Sequence, residues 1–494
     1  MADSIQVVSV SSEMVPFAKT GGLGDVCGAL PRALEQIGVG CTAFLPAFRS
    51  TLRSGIAVES TDHTFTIPIA NKHVACRLLK ATLPNSSVTV YLIDQPQYYD
   101  RDTLYSDELG EYKDSCERFC FFNRAVAEAI ECLELPVDVL HCHDWQSGLL
   151  PAYVKTGYRN YAWAKNTKTV MTIHNLAYQG SFWHLDMPLT DLGWEHFNLH
   201  EMEFYGQLNL LKTGIVFADQ VTTVSPTYSR EITTEEFGCG LERTLASRGE
   251  DLLGIVNGVD YSEWNPCSDP HLPQNYDAGS WQDGKAVCKS SLQTELGMEV
   301  APDKPLVGIV SRMADQKGWD LIIPLLHRWA QDKSIQWVIL GTGEKKYEKE
   351  LADLASRFPH NLGVRLAFSE ALAHQIEAAS DLFLMPSRYE PCGLNQLYSL
   401  KYGSVPVVNA TGGLVDTVTD ANASTLGDEI ATGFICTDYS IATLEYTLQR
   451  AVETYLHEKP VWAQIVATGM NMDWSWGNSA KQYQQIYERL LAPP

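Results

Sequence analysis

Residues 19–25 read KTGGLGD, and the chain on either side of them decides the fold. Ahead of them Ile5, Val7, Val8 and Val10 make an apolar, β-branched run of strand length. Behind them Val26, Leu30, Ala33, Leu34 and Ile37 recur at helical spacing until Gly38 supplies a stop. A strand, a glycine-rich turn and a helix form a pocket for phosphate, because glycine lets backbone N–H groups approach an anion and a helix N-terminus is electropositive. Lys19 stands at the mouth as a point charge. Three glycines alone are equally compatible with an ordinary tight turn. NAD is not favoured: Gly22, Gly24 and Gly28 are spaced GxGxxxG, and the end of the next strand, residues 45–49, offers no acid for a ribose hydroxyl.

A chain of 494 residues is too long for one core and should divide into two or three domains. The formal net charge is −23, spread along the chain, which argues against nucleic acid and anionic membrane surfaces as partners. In so acidic a protein a lysine beside a glycine turn points to a specific anionic ligand. No apolar stretch reaches the ~18 residues of a membrane span, and Met1–Ser4 opens directly into the first strand, so the expected compartment is the cytoplasm. Twelve cysteines are scattered without a CxxC pair, the pattern of reduced, mostly buried thiols rather than of a disulfide framework or a zinc ribbon.

Residues 1–150 alternate short apolar strands with helical stretches, as in a largely parallel α/β sheet; 88–93 reads as a strand and 119–133 as a helix. A strand over 137–141 runs into HCHDW, residues 141–145. His141 and His143 alternate with Cys142, so they point to one side at the strand's C-terminal end, the edge where open α/β sheets bind ligands. His-x-His followed by an acid could hold zinc, but that needs more ligands. A sugar-binding lip is the better reading, with Trp145 and Gln146 supplying aromatic and polar groups. A further strand, 169–173, ends in HNLAYQG at 174–180, where His174 and Asn175 either face a substrate hydroxyl or, for His174, satisfy loop carbonyls. A helix over 208–218 and a strand over 220–224 follow; Ser225 reads as an N-cap with Pro226 at the first helical position, and Ile255 and Val256 lead into a turn, NGVD, at 257–260.

Trp264, Pro266, Pro270 and Pro273 interrupt any long element, so 261–304 reads as a crossing between domains. A second strand–loop–helix then repeats the opening: 306–310, a polar loop 311–318 with Arg312 and Lys317, and 319–330. Further strands are expected at 337–340, 382–385 and 405–408. Two such units predict two facing Rossmann-like domains with a cleft between them, residues 1–260 and 305–472. DWSW, 473–476, precedes a C-terminal helix to Leu491, and this last segment, 473–494, packs back on the first. In PSRYEPCGLNQLYSL, 386–400, Glu390 lies past a strand end and Pro391, Cys392, Gly393 and Leu394 lead into a helix. Its carboxylate can orient sugar hydroxyls or stabilise developing positive charge, and the N–H groups after it can hold phosphate; alternatively it is a first-turn acid. TGGL, 411–414, adds glycine N–H groups through Thr411 and Gly412.

KTGGLGDV (19–26), HCHDW, HNLAYQG, NGVD, SR with QKG (311–318), PSRYEPCGLNQ (386–396) and TGGL occur in this order. Together they closely resemble the bacterial glycogen synthases and plant starch synthases, from about residue 5 to about 490. The resemblance implies an α/β, GT-B fold and a retaining transfer of glucose, usually from ADP-glucose, to the non-reducing end of an α-1,4-glucan such as glycogen, starch or a maltooligosaccharide. It implies no metal and no cofactor. By motif, Lys19, Gly21 and Gly22 line the diphosphate and donor sugar with Asp25 beside them, His143 contacts the donor glucose through its carbonyl, and Asn257 holds a sugar hydroxyl. Arg312 and Lys317 neutralise the leaving diphosphate, Glu390 positions the transferred glucose, and Cys392, Gly393 and Leu394 offer N–H groups to the distal phosphate. Related retaining enzymes carry a second glutamate eight residues after the first; here that position is Tyr398. With no evident carboxylate for a covalent intermediate, attack on the face of departure is favoured, the leaving phosphate taking the acceptor's proton. Because groups from both halves are needed, the cleft is expected to close on its substrates. Rival readings are a UDP-glucose-using enzyme of the same fold, a granule-bound or chain-initiating starch synthase, and a glucan-binding scaffold that releases no nucleotide. A scaffold would not need Lys19, Arg312, Lys317 and Glu390.

Overall fold

The computed structural model describes residues 4–107, 110–332 and 334–493. The expectation for Met1–Ser4 falls on Met1, Ala2 and Asp3, which lie outside the described residues. The chain forms two compact units: one runs to Gly258 and resumes at Trp476, and the other is Val259–Ser475.

The first unit is built on a nine-stranded sheet. In chain order its strands are β1 (Gln6–Val10), β2 (Gly40–Pro46), β3 (Glu59–Ile69), β4 (Lys72–Thr82), β5 (Thr89–Asp94), β6 (Val139–His143), β7 (Lys168–Ile173), β8 (Gln220–Thr223) and β9 (Leu252–Gly254). Their spatial order is β9-β8-β7-β6-β1-β2-β5-β4-β3. From β9 to β5 every pairing is parallel; β4 and β3 close the edge as an antiparallel ribbon. Parallel strands need helices on both faces, and that is why β1 and β6 are buried on successive residues rather than on alternate ones. Helix α1 (Gly22–Gln36) covers one face, and α2 (Ser115–Cys132), with Phe119, Phe121 and Phe122 fully buried, fills the other. Gly28 lets α1 settle on the segment before it: a Cβ there would stand 2.5 Å from the Val15 carbonyl oxygen.

The second unit has a six-stranded, wholly parallel sheet. Its first helix, α3 (Trp281–Glu295), precedes the strands β10 (Leu306–Val310), β11 (Gln336–Leu340), β12 (Leu362–Arg365), β13 (Leu382–Met385), β14 (Val405–Asn409) and β15 (Phe434–Cys436), ordered β12-β11-β10-β13-β14-β15. Helix α4 (Trp319–Trp329) follows β10, α5 (Asn395–Tyr402) follows β13, and α6 (Gly412–Thr417) follows β14. Here the sequence reading of 261–304 is corrected. That stretch belongs to the second unit and carries the 15-residue helix α3, whose Cys288 and Leu292 join the unit's core. The prolines break the chain only as far as Pro273; beyond it an apolar face at helical spacing is free to form.

The last helix, α7 (Trp476–Leu491), belongs to the first unit. Trp476, Tyr483, Ile486 and Tyr487 share a core with Val7, Val26, Leu30 and Leu34. The DWSW motif is divided: Trp476 packs there, whereas Trp474 packs with Val259, Leu397 and Tyr398 in the second unit. All twelve cysteines are free thiols. Among the described residues no helix is long and apolar enough to cross a membrane.

Candidate active site

In the first unit the chemistry gathers at the C-terminal ends of β1, β6 and β7, which are neighbours in the sheet. Between β1 and α1 the carboxylate of Glu13, 3% exposed, accepts the Thr20 N–H at 2.5 Å, the Gly21 N–H at 3.2 Å, the Thr20 hydroxyl at 2.6 Å and the Tyr105 hydroxyl at 2.8 Å. The glycine turn therefore does not offer all its N–H groups to phosphate: those of Thr20 and Gly21 are held by an acid of the protein itself. Gly21 has φ −161°, extended backbone open to any residue, and a side chain there would meet nothing within 4 Å. Lys19 Nζ pairs with Asp25 Oδ1 at 2.6 Å, both partly exposed.

His141, His143 and His174 form a file of rings, with centroids 4.2 Å and then 5.3 Å apart. His141 is tied to the Tyr487 hydroxyl at 2.8 Å and to Thr172 Oγ1 at 2.6 Å. His143 Nε2 meets Ser9 Oγ at 3.3 Å, and its Nδ1 faces His174 Nε2 at 3.0 Å. The His143 carbonyl accepts from Ser147 Oγ at 2.9 Å, which engages one of its two lone pairs. Burial holds the imidazoles of His141 and His174 down to about 3 and that of His143 well below its ordinary value, so all three are neutral bases near pH 7.

Asp144, next in sequence, sits at φ 56°, ψ 179°, a conformation costly for any residue with a Cβ. It accepts the His174 N–H at 2.7 Å, and burial raises its carboxyl to about 7. The sequence offers Asp144 only as the acid of a His-x-His zinc reading and does not mark Glu13 at all. Asp144 had a signal, an acid directly behind two histidines at a strand end; Glu13 had none. Trp145, read as a sugar-binding lip, is 5% exposed and packs edge-on against Phe119 and Phe182, so it belongs to the core. Asn257 is 6% exposed, and its Oδ1 is buried without a hydrogen-bond donor among the described residues.

In the second unit three loops meet at the C-terminal ends of the adjacent strands β10, β13 and β14. Lys317 Nζ donates to Glu390 Oε2 at 2.5 Å, and Ser387 Oγ donates to the same oxygen at 3.0 Å. Glu390 is 6% exposed. The backbone N–H of Arg388 donates to the Gln316 carbonyl at 2.9 Å, which stitches the first loop to the second. Trp319 Nε1 donates to the Arg312 carbonyl at 3.0 Å, holding the first loop over α4, while the exposed Arg312 guanidinium reaches Gln316 Oε1 at 3.4 Å. The third loop locks to the second: Gly413 N–H donates to the Glu390 carbonyl at 3.0 Å. Gly412 is required there, for its φ is +45° and a Cβ would stand 1.9 Å from the same oxygen.

Cys392 and Thr411 are buried, and Gly393 (φ +73°) and Leu394 lead into α5. The N-cap residue, Leu394, makes no side-chain cap among the described residues, and the positive dipole end of α5 lies at the loop. Tyr398, in the place of a second glutamate, lies face to face on Trp264 with ring centroids 3.8 Å apart.

The residues 6–247 match the family model described as the starch synthase catalytic domain, and 298–461 match that of glycosyl transferases group 1. The catalytic domain of Starch Synthase IV from Arabidopsis thaliana, solved bound to ADP and acarbose, aligns at a TM-score of 0.92 and 31% identity over 99% of this chain and 100% of that one. Sucrose-phosphate synthase from Thermosynechococcus elongatus shares the fold alone, at a TM-score of 0.59 and 16% identity over 98% of this chain and 99% of that one. Fold and site together define a glycosyltransferase of the GT-B class, made of two Rossmann-like units. The glycogen synthase of Rhodopirellula baltica is 47% identical over 99% of this chain and 98% of its own length, and that of Koribacter versatilis 44% identical over 98% of each. The chain belongs to the glycogen synthase family.

Proposed function

We propose that the protein transfers glucose from ADP-glucose to the non-reducing end of an α-1,4-glucan with retention of configuration, and that it acts in the cytoplasm. The observation that carries the reading is the Lys317–Glu390 pair, set among three loops whose other groups are Arg312 and the positive dipole end of α5. A departing diphosphate gains negative charge, and donors already aimed at it lower the barrier. Lys317 has three N–H donors and gives one to Glu390, so the ammonium can serve the carboxylate and a phosphate oxygen together. Arg312 adds a planar fork. The N–H groups of Cys392, Gly393 and Leu394, with Thr411 and Gly412 behind them, take the distal phosphate. Glu390, fixed by Lys317 and Ser387, orients the hydroxyls of the glucose being transferred.

In the first unit Lys19, with Asp25 as its partner, presents a cation beside the glycine turn, and a side chain at Gly21 would meet nothing within 4 Å. The His143 carbonyl and Asn257 Oδ1, an acceptor lacking a donor, receive sugar hydroxyls. Glu390 is committed to its ion pair and Asp144 is held protonated up to about pH 7, so neither is set up as a nucleophile, and attack on the face of departure is the route these groups favour.

The test is ADP release from ADP-glucose, with glycogen and with short maltooligosaccharides, against UDP-glucose under the same conditions. ADP release coupled to glucan growth is expected. Glucan binding without nucleotide release would make the protein a scaffold, and a preference for UDP-glucose would replace the donor.

A further inference from the structure

One grouping at the edge of the first unit's sheet contains a member that glucosyl transfer does not use. Cys27 lies on the second turn of α1, His143 at the end of β6, and His174 directly after β7. Each presents one ligand atom, and the three atoms lie within 4.8 Å of one another. The facing nitrogens His143 Nδ1 and His174 Nε2 are 3.0 Å apart. Two nitrogens on a tetrahedral zinc, at Zn–N of about 2.05 Å, stand about 3.3 Å apart, so the pair needs only a slight opening to share an ion.

The protonation states of the three side chains bear on a metal in opposite directions, the imidazoles in its favour and the thiol against it. Both imidazoles are kept neutral by burial, the form that ligates. The Cys27 thiol is pushed up, first by burial, and then by the carboxyls of Asp144 and Glu13 against the pull of Ser11. A hydrogen-bonded histidine pair beside a packed thiol is what the protein shows without the ion; the ligand set decides what a thiophilic ion would find there.

We propose that Cys27, His143 and His174 form a site for one thiophilic divalent cation of the zinc class, and that its occupancy turns glucosyl transfer off by shifting His143, whose carbonyl the proposed function gives to the donor sugar. On binding, the Cys27 S–H proton passes to solvent, the thiolate and one lone pair of each imidazole bind the ion, and water takes the fourth position. No electron is transferred. The inhibitory half of the proposal rests on the glucosyl-transfer reading; the binding half does not.

The full chain, freed of metal with a chelator and desalted, is titrated with Co²⁺ and followed by absorption, then back-titrated with Zn²⁺; in parallel, ADP release is measured against Zn²⁺. The expected result is one Co²⁺ per chain with a thiolate-to-cobalt band, its displacement by Zn²⁺, and loss of turnover over the same Zn²⁺ range. Cys27→Ser should keep full turnover in chelator, lose the thiolate band, and need at least about 10–100-fold more Zn²⁺ for inhibition. Cys27→Ala serves the same purpose should the serine variant not fold. Absence of the thiolate band in the unmodified protein, or equal Zn²⁺ sensitivity of the Cys27 variants, overturns the site. A protein that binds Co²⁺ as described yet turns over no sugar nucleotide keeps the site and removes the glucosyl-transfer reading instead.

Discussion

Lys317 Nζ stands 2.5 Å from Glu390 Oε2, joining a loop after β10 to a loop after β13 across 73 residues of chain. The carboxylate is nearly buried and the ammonium four-fifths so. Removing one member of such a pair leaves the other charge uncompensated, which costs more than the pair contributes. Lys317→Ala is therefore expected to lower both turnover, by at least about 100-fold, and the unfolding midpoint of the protein. Adding Glu390→Gln should restore the midpoint and leave turnover low. Thermal unfolding and ADP release on the two variants check this; recovery of turnover in the double variant would make the pair purely structural.

Arg312 is exposed, and its guanidinium reaches Gln316 Oε1 at 3.4 Å from the loop that also carries Lys317. A cation so placed acts on ligands more than on stability. Arg312→Ala should weaken ADP as a product inhibitor by about 10–100-fold, the worth of one charge-assisted hydrogen bond, with no loss of thermal stability. Arg312→Lys should recover only part of the affinity, since the planar fork is lost. Inhibition constants for ADP are the measurement, and an unchanged constant for the alanine variant would remove Arg312 from the phosphate site.

Glu13 is the anchor of the KTGGLGD turn. With two backbone N–H groups and two hydroxyls on one carboxylate, Glu13→Ala should release the turn and leave β1 and α1 in place. Amide hydrogen exchange at Thr20 and Gly21 should accelerate, and KM for the sugar nucleotide should rise more than kcat falls. Protection of those amides equal to that of the unmodified chain would mean that the carboxylate does not hold them.

The buried histidines set an acid limit. His141 holds its imidazole at about 3 against an ordinary 6.5, because burial disfavours the charged ring. The unfolded chain takes up that proton from about pH 6.5 downward and the folded one only near 3, so the stability it contributes is complete above 6.5 and is lost as pH falls through this window. Within it each such ring adds a slope of about 1.4 kcal/mol per pH unit. His141→Gln should flatten urea-unfolding stability against pH by one such slope between pH 6 and 4. Asp144 runs the other way: raised by burial from 3.8 to about 7, it favours the folded state fully below 3.8 and loses that as pH rises through 7. Asp144→Asn should accordingly gain more stability at pH 8 than at pH 5, and equal gains at both would contradict the raised carboxyl.

How far the sequence could be read follows from the range of the forces involved. Strands 306–310 and 382–385 and the Ser225 cap with Pro226 are written locally, in β-branched runs, period and capping chemistry, and they stand where the pattern places them. Helix α3 was hidden because a cluster of prolines dominates the composition of 261–304, although it acts only on its own neighbourhood. Trp145 was misread because an aromatic residue beside histidines looks the same in sequence whether it faces solvent or Phe119.

The sequence by itself determined that the opening strand, loop and helix recur at 306–330, and which loops carry the cations, the glycines and the acid. Only the tertiary structure decided that β10, β13 and β14 are neighbours, which brings Lys317 to Glu390. It also decided that Glu13 rather than a ligand holds the N–H groups of Thr20 and Gly21, and that Cys27 stands beside His143 and His174. Periodicity and capping act over a few residues and leave their mark in the order of the amino acids. Strand order and burial are set by contacts between segments far apart in the chain, and those follow from how the sheets assemble.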